Sequence, residues 1–191
     1  MKWRMIMRVI AGKARRLTLK TPQGYDTRPT TDRIKETLFN ILNPYLADAD
    51  FLDLFAGCGA IGIEALSRGA KYAAFIENDK AALDCIKSNL KHTKLEPQAE
   101  IYPMDVFDAL RALEVKGKVF DIVFMDPPYN ANYEREVLFA LQKSNIIYCD
   151  TIIVVEASKQ TSFDFLNDTG FRIIKKKEYK TNQHVFIEKA K

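Results

Sequence analysis

Short apolar runs alternate with amphipathic stretches through the middle of this 191-residue chain, and that alternation restricts the fold more than any other feature. Residues 51–55, 72–76, 99–102, 120–125 and 152–155 read as strands, and several are almost continuously apolar, as strands covered on both faces must be. Between them, residues 60–68, 80–91, 106–113 and 134–143 read as helices. The alternation implies right-handed crossovers and therefore a mostly parallel, doubly wound α/β sheet. After residues 163–168 the pattern changes. Residues 171–179 and 184–188 flank Lys180-Thr181-Asn182-Gln183 with no helix between them, which predicts a closing antiparallel hairpin and a seven-stranded sheet in all.

Ahead of the core, residues 7–10 and 16–19 predict a small hairpin around Ala11-Gly12-Lys13. A turn-rich stretch leads to a helix with Ile34, Leu38, Ile41 and Leu42 on one face, expected to end at Asn43-Pro44. With no internal repeat and no Gly/Ser linker, the simplest division is one domain, 28–191, carrying a basic N-terminal extension, 1–27.

The composition, 47% apolar and 28% charged, belongs to a globular protein. No apolar run approaches the roughly 18 residues of a membrane span, and the basic start Met1–Arg8 lacks the apolar core of a signal peptide. Met7 is as good a start as Met1. The odd cysteine set, Cys58, Cys85 and Cys149, reads as reduced thiols, so a cytoplasmic protein is expected. Charge is unevenly spread. Residues 1–35 hold ten Lys and Arg against Asp26 and Asp32, and residues 172–191 hold seven against Glu178 and Glu188. Basic ends around an acidic body suit a polyanionic partner, although the same lysines and arginines can be ordinary solvated charge.

Asp53-Leu54-Phe55-Ala56-Gly57-Cys58-Gly59-Ala60-Ile61-Gly62 joins the first core strand to its helix. Gly57, Gly59 and Gly62 satisfy G-x-G-x-x-G, and Glu77, ending the next strand, can accept from two ribose hydroxyls. A dinucleotide-binding loop looks the same to this point. Asp53 separates the two: a carboxylate four residues before the first glycine repels a pyrophosphate and attracts a cationic amino-acid moiety. Asp105, closing the third strand, either accepts from an adenine amino group or caps the helix that follows. Acids at three successive strand ends suit S-adenosylmethionine, which carries positive charge and no phosphate. Phe55, Ala56, Gly57, Gly59, Asn78, Val106 and Asp126 complete the candidate cofactor site.

Asp126-Pro127-Pro128-Tyr129 follows the strand 120–125. Two prolines remove two N–H donors and leave carbonyls that only accept. The Asp126 carboxylate and the Pro127 carbonyl can each take one hydrogen of an exocyclic amine, aiming the nitrogen lone pair at an electrophilic methyl group. Asp126 is the natural proton acceptor, and Tyr129 offers a face for a base drawn out of its stack. His92 and His184 read as ordinary surface residues. No His, Cys or carboxylate spacing predicts a metal, and Cys58 has no base nearby in sequence to make it a nucleophile.

Together these residues resemble the class I, Rossmann-like methyltransferases. More narrowly, the chain resembles the bacterial 16S ribosomal RNA guanine-N2 methyltransferases of the RsmD type. Arg28-Pro29-Thr30-Thr31-Asp32-Arg33-Ile34-Lys35-Glu36-Thr37-Leu38-Phe39-Asn40 is the most specific marker, joined by Asp53 to Gly62 and by Asp126 to Tyr129. Cys58 stands where a hydroxyl residue is common, and Lys180 where many relatives have Gly. The resemblance implies methyl transfer from S-adenosyl-L-methionine, giving S-adenosyl-L-homocysteine, to one guanine amino group of 16S rRNA in the small ribosomal subunit. Arg8, Lys13, Arg15, Arg16, Arg28, Arg33 and Tyr129 are the candidate RNA contacts, and a monomer without membrane attachment is expected. A DNA adenine-N6 methyltransferase shares the tetrapeptide but needs a target-reading region, for which only about 50 residues precede the core. A protein-glutamine methyltransferase more often has Asn at the Asp126 position, and a non-catalytic RNA-binding assembly factor would not need the intact loop.

Overall fold

A computed structural model describes residues 7–22, 32–128 and 133–190. Two short strands, β1 (Met7–Arg8) and β2 (Thr18–Leu19), pair antiparallel ahead of α1 (Asp32–Leu46). The core then runs β3 (Asp50–Asp53), α2 (Ala60–Arg68), β4 (Tyr72–Glu77), α3 (Lys80–Thr93), β5 (Ala99–Pro103), α4 (Val106–Val115), β6 (Phe120–Met125), α5 (Tyr133–Lys143) and β7 (Ile147–Ser158). A single turn of 3-10 helix, Asp164–Asp168, precedes β8 (Phe171–Glu178) and β9 (Asn182–Lys189). Seven strands make one sheet in the order β5-β4-β3-β6-β7-β9-β8, parallel from β3 to β7 and antiparallel in β8 and β9. The α/β class, the alternation and the closing hairpin are those expected from the sequence.

One apolar cluster fills each face of the sheet. Leu38, Phe39 and Leu42 of α1 join Ile63, Phe75, Ile122, Val154 and Phe186 on one side. Leu110 of α4 and Leu138 and Leu141 of α5 join Leu52, Val123, Val155 and Val185 on the other. Gly62 allows α2 to sit close on β4, since a Cβ there would lie 2.4 Å from Phe75 Cε1.

Most boundaries shift by one or a few residues from expectation, and three of the shifts bear on the packing. Helix α1 passes through Asn43-Pro44 to Leu46. A proline in the last turn costs one N–H bond, and buried Leu42 and Leu46 keep the turn against the core. Strand β7 is twelve residues long, not four, because Thr151 bridges an irregularity: its hydroxyl accepts from Tyr148 N at 3.0 Å and donates to Phe120 O at 2.7 Å. Strand β9 begins at Asn182, which shortens the hairpin turn and buries Asn182, Gln183 and His184.

The N-terminal segment is built into the domain. Met7, Val9, Ala14 and Leu19 belong to the α1-side cluster. Glu64 of α2, fully buried, accepts from Ile10 N at 2.8 Å, Ala11 N at 3.0 Å, Arg68 Nε at 2.7 Å and Lys35 Nζ at 3.2 Å. Lys35, also fully buried, donates to Arg8 O as well, and burial lowers its pKa against the pull of Glu64. Gly12, at φ +79°, lies so close to Ser67 that a Cβ would fall 1.8 Å from its carbonyl oxygen. The boundary expected at 27/28 lies outside the described residues.

Candidate active site

The sheet order reverses between β3 and β6: the chain moves outward from β3 through β4 to β5, then returns to lay β6 on the other side of β3. Loops leaving the carboxyl ends of these two strands diverge and leave a crevice, the usual ligand position in such sheets. A cavity of about 460 Å³ opens there. Phe55, Gly57, Glu77, Asn78, Asp105, Val106, Asp126 and Pro128 line it, all singled out in the sequence. Met104 and Tyr133 also line it and carried no sequence signal. Tyr133 packs edge-on to Phe55, with centroids 5.8 Å apart, and stacks on Phe107 at 6.3 Å. Four acidic side chains (Glu77, Asp79, Asp105 and Asp126) line the cavity, and among the described residues no Lys or Arg does. A bound pyrophosphate would meet only like charge. A cation would not.

Asp53, 1% exposed, ends β3 directly before Leu54 and Phe55, which line this cavity. Its Oδ2 accepts from Gly62 N at 3.1 Å, while Oδ1 is buried with no hydrogen-bond partner among the described residues. Burial raises its pKa to about 7; the Gly62 N–H opposes this and the Glu77 charge adds to it. A buried, half-satisfied carboxyl is costly unless a donor completes it. The orphan oxygen and the acidic lining fit a ligand carrying an ammonium group, as S-adenosylmethionine does.

Glu77 spans the start of two helices. Its Oε2 accepts from Gly57 N at 2.8 Å, and Oε1 accepts from Asn78 N and Asp79 N, both at 2.8 Å. A carboxylate offers about four acceptor sites, so after these three bonds one is left for a hydroxyl donor. Asp105 caps α4, accepting from Phe107 N at 2.9 Å, and also lines the cavity, so its two expected roles are compatible. Ala56 and Gly59 turn the loop beneath: Ala56 N donates to Ile76 O at 2.9 Å, and Gly59 N to Ala56 O at 2.7 Å. Burial pushes the Cys58 thiol up to about 11, which leaves it a poor nucleophile.

Asp126 and Pro127 follow the last residue of β6. Burial, then Glu156, Asp53 and Glu134, hold the Asp126 carboxyl well above the usual carboxylate range. Register explains Glu156: Met125 pairs with Val155, so the next residues, Asp126 and Glu156, lie side by side. Glu156 is in turn held by His184 Nε2 at 3.0 Å and by Asn182 Nδ2, and His184 Nδ1 meets Tyr179 Oη at 3.2 Å. His184 is therefore not a surface residue; it is fully buried, edge-on to Phe124 at 6.2 Å. The misreading came from placing Asn182 and Gln183 in the turn. His92 is exposed, as expected. Tyr129 lies outside the described residues.

A family described as Conserved hypothetical protein 95 matches residues 7–188. The ribosomal RNA small subunit methyltransferase D of Haemophilus influenzae is 40% identical over 156 residues, covering 80% of this chain and 79% of that protein. Its Escherichia coli namesake is 38% identical over 151 residues, covering 79% of this chain and 74% of that protein. The chain belongs to this small subunit methyltransferase D family. The solved structure of yhhF from Escherichia coli matches with a TM-score of 0.83 at 32% identity, covering 97% of this chain and 98% of that one.

The methyltransferase D family chain described here divides its basic candidates between the two ends of the sheet. Helix α1 ends where β3 begins, so its first turn stands at the cavity end. Arg33 is exposed there, and Arg8 pairs with Asp32 at 2.7 Å. Lys13 donates to Gln98, just before β5 starts, and Lys13 N donates to Ser67 O in the last turn of α2 at 2.8 Å. Lys13, Arg15 and Arg16 thus lie on a loop held at the opposite end from the cavity. Arg28 lies outside the described residues. Among the described residues no helix is long and apolar enough to cross a membrane, and no group of His, Cys, Asp and Glu is placed to hold a metal ion.

Proposed function

We propose that this chain transfers a methyl group from S-adenosylmethionine to the exocyclic N2 amine of a guanine in 16S rRNA, acting as a monomer on the small ribosomal subunit. One observation carries the chemical part: Asp53, short of a donor, ends the strand beside the one that leads to Asp126, at a cavity whose charged lining residues, among those described, are all acids. The names of the family's relatives support rRNA of the small subunit as the substrate.

Each acid has a separate task in this reading. Asp53 Oδ1 would receive the ammonium of the cofactor's amino-acid moiety, Glu77 a ribose hydroxyl and Asp105 the adenine amine. Phe55, Val106 and Tyr133 cover the apolar faces. When bound, the cofactor supplies a sulfonium methyl as electrophile. Asp126 and the Pro127 carbonyl each accept one amine hydrogen and so fix the direction of the nitrogen lone pair. As the nitrogen forms its new bond it becomes positive, and the negative field of Asp126, Glu156, Asp53 and Glu134 favours that charge. A carboxylate raised in pKa is also a stronger base, so Asp126 takes the proton that the nitrogen sheds. Tyr129 supplies the stacking face.

Labelled S-adenosylmethionine, offered with undermethylated small subunits, naked 16S rRNA and duplex DNA, tests this directly. Label should enter RNA and, after digestion, co-migrate with N2-methylguanosine. Label in DNA alone, or in another modified nucleoside, overturns the reading.

A further inference from the structure

An acidic cavity must admit a base attached to a polyanion, so cations are needed on its rim, yet Lys13, Arg15 and Arg16 lie at the other end of the sheet. Strand register identifies cations at the cavity end. Glu156 beside Asp126 pairs with His184, and His184 pairs with Lys177. One row therefore crosses four neighbouring strands, from Asp126 through Glu156 and His184 to Lys177, a span of about 14 Å at the usual strand spacing. Directly paired residues share a face. Lys175 pairs with Phe186 and Lys177 with His184, which puts both lysines on the α1 side, where Arg33 stands exposed at the same end. Lys176 pairs with Val185 and takes the opposite face. Lys175, Lys176 and Lys177 are exposed, and none forms an ion pair among the described residues. Strand β8 is the outermost strand, and a register shift between Ile173 and Lys175 bends it just before the lysines.

We propose that the outer edge of β8, through Lys175 and Lys177, is the surface on which the RNA backbone docks while a flipped base occupies the cavity. This rests on the RNA-methylating reading above and adds the place where RNA is held. Phosphates flanking a base at Asp126 run outward along the carboxyl ends of the strands, and these lysines meet them within a few strand spacings. Lysine on an edge strand also prevents strand-to-strand association; that role has a different signature in the test.

The experiment measures methyl transfer to undermethylated small subunits over a range of KCl for the full chain and for K175Q/K177Q and K176Q. K175Q/K177Q should raise KM for subunits about tenfold at moderate salt. It should lower the log–log salt slope by roughly 1.4 to 1.8, the share of two phosphate contacts. Its kcat and its affinity for S-adenosylmethionine should not move, and K176Q should behave as the parent. Unchanged KM and slope in K175Q/K177Q beside an active parent overturn the docking edge and leave the methylation reading standing. So does concentration-dependent self-association of that variant with unchanged KM, the signature of edge protection alone. No transfer to any RNA by the parent overturns both.

Discussion

Two buried carboxylates, Asp53 at the end of β3 and Glu64 within α2, sit eleven residues apart in sequence and are treated in opposite ways. Glu64 is saturated: two backbone amides and the cations of Lys35 and Arg68 all donate to it. Asp53 receives one amide N–H and keeps an oxygen with no partner among the described residues. A saturated buried carboxylate is a structural tie, and this one holds α1, α2 and the N-terminal segment together. An unsatisfied one is a cost that folding alone does not explain, and it marks where a ligand completes the network. Asp126, at the end of the adjoining strand, belongs with Asp53: acids surround it, and among the described residues no cation offsets them.

The largest effect that separates the two kinds should come from Asp126→Ala. Loss of the amine acceptor and base should lower kcat by about a thousandfold, while thermal stability and cofactor affinity stay near the parent values. A variant that keeps a tenth of the activity would place amine recognition elsewhere. Next is Glu64→Gln, which leaves Lys35 buried without its counter-charge. Removing one partner of a buried pair costs about 3–5 kcal/mol, read as a fall in urea midpoint. Per folded molecule the cofactor affinity should not change. If affinity falls while stability holds, Glu64 is part of the site and the contrast with Asp53 fails.

Much of the fold was legible because burial on both faces writes itself into composition. Strand β6 and helix α2 have the bounds expected from the sequence, and the glycine loop and acids at the strand ends come together as their spacing implied. What escaped was fixed by partners distant in sequence. Lys35 looked like one more surface cation; its role depends on Glu64, 29 positions away, and on the carbonyl of Arg8. His184 looked isolated because Glu156 reaches it only through the β7–β9 register. The outer half of β7 was hidden because exposed Tyr148, Cys149 and Asp150 break the apolar run. Tyr133 gave no signal, since an aromatic at a helix start is as often core as cavity wall.

Asp53 itself offers the two smaller and more discriminating tests. Asp53→Asn keeps the shape but removes the charge that an ammonium ligand would meet. Affinity for S-adenosylmethionine should fall ten- to a hundredfold, the equivalent of about 1.5–3 kcal/mol for a charge-assisted hydrogen bond, with no loss of stability near neutral pH. The pH dependence sharpens this. Burial holds the Asp53 carboxyl at about 7, above the usual carboxylate range, so between about pH 4 and 7 the free protein holds a proton on Asp53 that the unfolded chain releases. The stability linked to this group is therefore complete below about pH 4 and is lost as pH rises through 7. In the free protein, Asp53→Asn should flatten that part of the curve. An ammonium docking at Oδ1 favours the ionised form and lowers the pKa, so binding near pH 6 must release up to one proton from Asp53. Calorimetry of S-adenosylmethionine binding in buffers of different ionisation enthalpy reads that proton directly, and Asp53→Asn should abolish it. Equal proton release in parent and variant would mean that the ligand never completes Asp53, and the unsatisfied oxygen would need another explanation than the cofactor.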